Sequence, residues 1–419
     1  MLTERLLEQI LEPALPAGRL TVVDAGGRTH RFGPGGSPEV TIRLHDPGLL
    51  RRLLLSPALA AGEAYMDGRL SLEQGGLREF QQLASYCAGA LQHSPLQTLR
   101  RLARRPLRWK QQFNTRARAR RNAAHHYDLS GSLYDLFLDR DRQYSCAYFP
   151  TGEETLEQAQ GLKKRHIEAK LCLEPGLRVL DIGCGWGGLG LEMAARTEVE
   201  VTGLTLSREQ YETASQRALK AGLAERACFH LRDYRDENGR YDRIVSVGMF
   251  EHVGTRHYRR FFDTLARLLE QDGIALIHAI GRSDSPWLTD AWTRKYIFPG
   301  GYCPALSEVL AAVEPSGLCV TDVEILRLHY AHTLRHWFER FEAHRDRARE
   351  LYDERFCRMW EFYLSGAEMA FRHGHMMVFQ LQLAHRQDAV PLTRDYIHQT
   401  EHRLEPLAPV APPVEVGRR

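Results

Sequence analysis

Beyond about residue 170 the apolar positions fall into short unbroken runs, each followed by a stretch in which they recur every three or four residues. "GLRVLDIG" (176–183) and "VEVTGLT" (199–205) read as buried strands, and "GGLGLEMAAR" (187–196) and "REQYETASQRALKAG" (208–222) as the helices that follow them. "ACFHLRD" (227–233), "YDRIVSVG" (241–248) and "DGIALIHAIG" (272–281) predict three further strands. "CVTDVEILRL" (319–328) and "HMMVFQLQLA" (375–384) predict two more, separated by long helices between His332 and Phe371. Such alternation implies an α/β fold with a largely parallel sheet, right-handed crossovers and helices on both faces. Ligands of such sheets sit beyond the carboxyl ends of the strands.

The first ninety residues are patterned differently. "LTERLLEQILE" (2–12) has helical spacing, "RLTVVDAGGRTHRF" (19–32) two short strands about a glycine turn, and "VTIRLH" (40–45) a third strand. From Pro47 to about Leu91 the pattern reads as helical. A chain of 419 residues exceeds a single core. The reading is therefore a small α+β domain over 1–95, a linker over 96–121, an α/β domain over 122–401 and a tail over 402–419.

Overall composition adds little. The chain has 56 basic and 53 acidic residues, a net charge of +3 and 43% hydrophobic content, as ordinary globular proteins do. Locally the picture changes: "RRLARRPLRWKQQFNTRARARR" (100–121) holds ten arginines and lysines and no acid. A solvated linker helix explains that run. So does an anionic membrane surface, into which Leu102, Leu107, Trp109 and Phe113 can dip. Nucleic acid fits less well, because no recognition motif accompanies the charge. No stretch reaches the roughly 18 apolar residues of a membrane span, and acids and prolines interrupt the first thirty residues. The expected location is the cytoplasm, peripherally on the inner face of the membrane. Eight cysteines form no C-x-x-C pair and no zinc-like spacing with histidine, so no metal is expected and the thiols read as reduced and mostly buried.

The candidate chemistry begins at the glycine-rich turn "DIGCGWGG" (181–188). No Gly-Lys-Ser/Thr follows, so it is not a P-loop. An acid, Asp181, precedes the glycines, and strand then D-x-G-x-G-x-G is the order of S-adenosylmethionine-dependent methyltransferases. Gly183 and Gly185 let the backbone approach the methionine part of the cofactor, and the helix N-terminus favours its carboxylate. After the second strand "GLTLSREQ" (203–210) has no ribose-binding acid, which leaves Thr205, Leu206 and Gln210 for that side. After the third, Asp233 is placed to accept from an adenine amino group; an N-cap or surface acid explains it equally well.

Two segments carry a more specific signal. "HHYDLSGSLYDLFLDRDRQYSCAYF" (125–149) resembles the cofactor-covering segment of cyclopropane-fatty-acyl-phospholipid synthases and the related mycolic acid methyltransferases. "MFEHVG" (249–254), "IHAIG" (277–281), "KYIFPGG" (295–301) and "HYAHTLRHW" (329–337) stand in that family's order, and "GEAYMDGRL" (62–70) extends the likeness into the amino-terminal domain. The resemblance implies a Rossmann-like class I methyltransferase core with a mixed, mostly parallel seven-stranded sheet and helical insertions. It implies a bicarbonate ion held by Cys146, Glu251, His278, the backbone of Ile280 and Tyr330, with Tyr144 and Ser145 against the cofactor. Taken singly, each of these residues has a plainer explanation in core packing or helix capping. By the same likeness, Phe149, Phe250, Tyr296 and Phe298 would wall an acyl channel, and a homodimer is an analogy.

The implied reaction is methylation of the cis double bond of an unsaturated phospholipid acyl chain, closing a cyclopropane. Two departures stand out: Ala367 aligns where many relatives have a cysteine, and Cys303 and Ala305 replace the more usual leucine and serine. A methylene or methyl-branched product is the nearest alternative. N-methylation of a small amine and a non-catalytic lipid-binding role are more distant ones.

Overall fold

A computed structural model of the chain describes residues 11–92 and 131–404. The basic linker, the beginning of the 125–149 motif, the helix expected at 2–12 save its last two residues, and the end of the tail lie outside the described residues. The chain forms two compact units, each drawn from three stretches. One comprises Met1–Gln111, Trp287–Pro299 and Leu334–Met376; the other comprises Gln112–Pro286, Gly300–Thr333 and Met377–Arg419. Cuts at 96 and 122 therefore do not describe this division, because 287–299 and 334–376 group with the amino-terminal segment.

The reason lies in side chains far apart in sequence. In the first unit Arg78 donates two hydrogen bonds to the buried carboxylate of Glu368, at 2.8 and 2.6 Å, and the Tyr65 hydroxyl donates to Glu361 at 2.8 Å. Its sheet contains β1 (Gly18–Val23), β2 (Thr29–Gly35), β3 (Glu39–Leu44) and β4 (Leu70–Gln74), in the order β2-β1-β3-β4. Strands β1 and β3 are parallel and the other pairs antiparallel. Strand β4 corrects the sequence reading, which ran helix through it. Five residues, "LSLEQ", lie between the helices Pro57–Met66 and Leu77–Gln92, and so short an alternation is masked by its helical neighbours.

The second unit carries β5 (Arg178–Ile182), β6 (Glu200–Thr205), β7 (Ala227–Leu231), β8 (Tyr241–Val247), β9 (Leu269–Arg282), β10 (Cys319–Ile325) and β11 (Met376–Ala384). They form one sheet in the order β10-β11-β9-β8-β5-β6-β7. Pairs β5–β6, β6–β7, β5–β8 and β8–β9 are parallel, and β10–β11 is antiparallel. The strand order reverses at β5, with β6 on one side and β8 on the other, which is where such sheets bind ligands.

Because side chains alternate along a strand, the two faces of this sheet separate cleanly. Leu180, Ile244, Ala275, Ile277, Phe379 and Leu381 enter one apolar core together with Phe261, Phe262 and Leu265. Val179, Val245 and Leu276 enter the other, with Leu191, Val201 and Ile167. Phe250 is fully buried in the first core, stacked on Tyr258 at 4.4 Å between ring centroids, so it packs the interior and is no channel wall. All eight cysteines are free thiols, but only Cys146, Cys184 and Cys357 are buried, which corrects the expectation that most would be.

Candidate active site

The turn after β5 is shaped by its glycines. Gly183 has φ +87°, and a Cβ there would lie 2.8 Å from the Met249 Cβ, so a side chain is excluded both by conformation and by space. The Gly188–Thr197 helix begins directly behind it. A cleft opens over this turn, lined by the loops that follow β5, β6, β7 and β8 and by the strip 142–145. All nine residues expected to meet the cofactor line it.

Their environments differ. Asp181 is buried, its Oδ2 has no partner, and burial raises its pKa to about 7 against the opposing pull of Lys163. The Thr205 hydroxyl donates to Gln210 Oε1 at 2.7 Å and accepts the Ser207 N–H at 3.1 Å. Asp233 caps the short helix Tyr234–Asp236, accepting the Arg235 N–H at 3.0 Å and the Arg235 Nε at 2.8 Å. The capping and the ligand-facing explanations thus both apply to it.

Sequence reasoning missed Arg142, Gln143, Trp186, Met249, Arg235 and His252 in the lining. Trp186 lies inside the glycine turn and His252 directly follows Glu251 in the quoted "MFEHVG", so position alone was the available signal.

Strip 142–145 is held from behind. Asp139 accepts the backbone N–H groups of Asp141 (3.1 Å) and Gln143 (2.7 Å). Asp141, buried, accepts from Lys164 at 2.8 Å and pairs with Arg217, which also donates to the Trp186 carbonyl at 2.8 Å. Burial alone would raise the Asp141 pKa, but these two cations hold it below its ordinary value. The Leu156–Lys170 helix, started by a Thr155–Gln158 capping box, supplies Gln160, Lys163 and Lys164.

None of the five residues expected to bind an ion lines the cleft. Glu251 lies in the turn between Met249 and His252, which do line it, and Cys146 directly follows Ser145. The Ile280 N–H donates to Glu251 Oε1 at 2.6 Å, while Glu251 Oε2 is buried and unpartnered. Burial raises the Glu251 pKa to about 7 despite that bond. His278, two residues before Ile280 on β9, shares its side of the strand. Its Nδ1 meets the Gln380 amide nitrogen at 3.2 Å, and its Nε2 is buried with no partner. Burial, reinforced by Lys163, Lys170 and His166, holds the ring neutral well below the ordinary histidine pKa.

With the Gln380 amide nitrogen donating to Nδ1, the proton of the neutral imidazole resides on Nε2. Cys146 donates to the Ala147 carbonyl at 3.3 Å, and burial raises its pKa, so it stays a thiol. Ala147 in turn donates to the Thr333 hydroxyl at 3.0 Å, one turn along the helix from Tyr330, which is itself buried. Glu251 and the Ile280 N–H are therefore joined directly, His278 stands two residues before Ile280 on the same side of β9, and the Ala147–Thr333 bond links the segments that carry Cys146 and Tyr330.

Comparison with known proteins agrees with this architecture. Residues 114–381 match the family model "Mycolic acid cyclopropane synthetase". The cyclopropane-fatty-acyl-phospholipid synthase of Escherichia coli strain K12 is 38% identical over 346 residues, covering 83% of this chain and 88% of that protein. A "Probable fatty acid methyltransferase" of Pseudomonas putida is 36% identical over 368 residues, covering 84% and 89%. The solved mycolic acid cyclopropane synthase CmaA1, complexed with SAH and CTAB, shares 34% identity at a TM-score of 0.60, over 63% of this chain and 97% of that one. With its glycine turn, strand order and cleft in agreement with such extended likeness, the chain belongs to the mycolic acid cyclopropane synthetase family of S-adenosylmethionine-dependent methyltransferases.

Proposed function

We propose that this enzyme transfers the methyl group of S-adenosylmethionine to the cis double bond of an unsaturated acyl chain in a membrane phospholipid, and that a bicarbonate ion assists closure of the cyclopropane ring. An alkene has no proton to lose beforehand, so a base cannot activate it, and acceleration has to come largely from holding the reactants in line. Methyl transfer leaves positive charge on the acyl carbon, and loss of a proton from the new methyl closes the ring. S-adenosylmethionine supplies the electrophilic methyl, and bicarbonate would supply a base for that proton and a negative charge near the developing cation.

The observation that carries this reading is the pair of buried, unpartnered polar atoms, Glu251 Oε2 and His278 Nε2, next to the turn that lines the cleft. Buried polar atoms are rarely left without partners, and a pair of them, on Glu251 and on His278 two residues before the Ile280 that bonds it, suits a small polar ion. His278 Nε2–H is a donor to an anion. Glu251, with its pKa near 7, is protonated in part at neutral pH and can then donate instead of repelling. The Tyr330 hydroxyl and the neutral Cys146 thiol add no competing negative charge. Asp181 and the Gly183 backbone would hold the methionine part of the cofactor, and Asp233 would approach the adenine.

Phospholipid as the substrate is supported by the Escherichia coli relative, whose name specifies it. The Pseudomonas putida relative, named only as a probable fatty acid methyltransferase, favours a second reading in which the same attack ends in a methylene or methyl-branched chain. Expression in a host with unsaturated phospholipids, followed by mass spectrometry of its fatty acids, tests both. Cyclopropane acyl chains in the phospholipid fraction are expected. Branched or methylene products select the second reading, and unchanged lipids overturn both.

A further inference from the structure

Gln160 and Lys163 are adjacent on one face of the Leu156–Lys170 helix, three residues apart, and both reach the strip that borders the cofactor cleft. Gln160 Nε2 donates to the carbonyls of Gln143 (3.2 Å) and Ser145 (3.0 Å). Lys163 Nζ donates to Gln143 Oε1 (2.7 Å) and to Ser145 Oγ (2.9 Å). The remaining groups of Gln143 are also engaged: its backbone N–H bonds Asp139, and its side-chain amide nitrogen donates to Asp141 at 3.2 Å. Gln143 therefore borders the cleft with its backbone and both ends of its amide bound to protein.

We propose that Gln160 and Lys163 act as a two-residue clamp, a pair of positioning residues that grip Gln143 and Ser145 and so hold Tyr144 and Ser145 in place against bound S-adenosylmethionine. Lysine suits the task because one ammonium supplies three donors, and the bonds it makes are charge-assisted. It is 1% exposed, and a cation is seldom buried so fully without specific work to do. Gln160 is fully buried as well. Neither residue lines the cleft; Gln160 reaches the cofactor through the strip, and Lys163 through the strip and through its electrostatic pull on the Asp181 carboxyl.

The proposal rests on this cleft being the cofactor site, and the test separates the two. S-adenosylhomocysteine is titrated by calorimetry into the wild-type chain, Lys163→Met, Gln160→Leu, Ser145→Ala and the double variant Lys163→Met/Ser145→Ala. Wild type should bind with one site per chain, and each clamp variant about tenfold more weakly, the scale of one lost hydrogen bond. Because part of the Lys163 effect passes through Ser145, the double variant should lose less than the product of the two single losses. In turnover assays on vesicles of monounsaturated phospholipid, the clamp variants should show a raised KM for S-adenosylmethionine with much less change in kcat.

Melting of the cofactor-free protein serves as the control, since a methionine in place of a buried ammonium need not destabilise it. Failure of the wild type to bind overturns the cleft assignment and the clamp with it. Wild-type binding with undiminished affinity in both clamp variants overturns the clamp alone. Losses that are multiplicative in the cycle, or that only track a fall in melting temperature, also overturn it. If Lys163→Met fails to fold, Gln160→Leu decides.

Discussion

Glu251 has two carboxyl oxygens in different circumstances: Oε1 accepts the Ile280 N–H, and Oε2 is buried without a partner. Glutamine at this position keeps the shape and the first of these acceptors but removes the titrating proton. Glu251→Gln should leave S-adenosylhomocysteine affinity within about threefold and lower turnover by about a hundredfold or more, the usual scale for a lost acid–base or ion-holding group. Parallel loss of binding and activity would contradict the assignment. The same substitution has a pH signature. The Glu251 pKa rises from an ordinary 4.5 to about 7 in the folded chain, so the folded state binds the proton more tightly than the unfolded one. This carboxyl then costs no stability below about pH 4.5 and subtracts an increasing amount as pH rises from there to about 7. Melting temperature followed across that range should fall less steeply in the variant than in wild type; identical slopes would show that the carboxyl is already ionised there.

Among the elements, the segment between Gly131 and Ser145 owes its position to buried charge. Asp141 is shared by Lys164 from the Leu156–Lys170 helix and Arg217 from the Arg208–Lys220 helix, so one carboxylate joins three pieces of the second unit. Removing the charge leaves two buried cations undercompensated, a change that typically costs about 3–5 kcal/mol. Asp141→Asn should lower the unfolding free energy by that order in urea titration and weaken cofactor binding as the strip loosens. A loss below about 1 kcal/mol would mean that the network is not needed to hold the segment. Gly188 belongs to the same design, because a Cβ there would lie 2.3 Å from Asp141 Oδ2.

For the molecule as a whole, the remaining requirement is access to a lipid substrate. Among the described residues no helix is long and apolar enough to cross a membrane. We propose that the ten basic residues between 100 and 121 bring the enzyme to lipid, each contributing about 1 kcal/mol near anionic headgroups. Replacing five of them by glutamine should greatly reduce sedimentation with anionic vesicles at low salt, and wild-type binding should itself weaken as ionic strength rises. Vesicle binding that ignores both changes would leave the segment as a linker.

The strand and helix pattern of the second unit was legible in the sequence because whether a residue faces core or solvent repeats within a few positions, and that repeat is written locally. The same local pattern places Asp181 and Gly183 at the end of β5 and its turn, whereas Glu251 and His278 were marked out by the family resemblance of their segments. Strand β4 was obscured by the helices on either side of it. The clamp residues Gln160 and Lys163 were not legible at all, since on a helix they look like any polar face, and only folding brings them to Gln143 and Ser145.

Local periodicity thus determined the α/β class, the order of Asp181 and its glycines marked the turn as that of a methyltransferase, and the resemblance to the cyclopropane synthases supplied the residues expected to hold the ion. Tertiary structure alone decided that Asp141 meets Arg217 across 76 residues of chain, that 334–376 joins the amino-terminal unit, and that Glu251 and His278 each keep a buried atom without a partner. The physical reason is range: burial periodicity is a property of neighbours in sequence, whereas the partner of a buried charge, and the desolvation that shifts its pKa, are properties of neighbours in space.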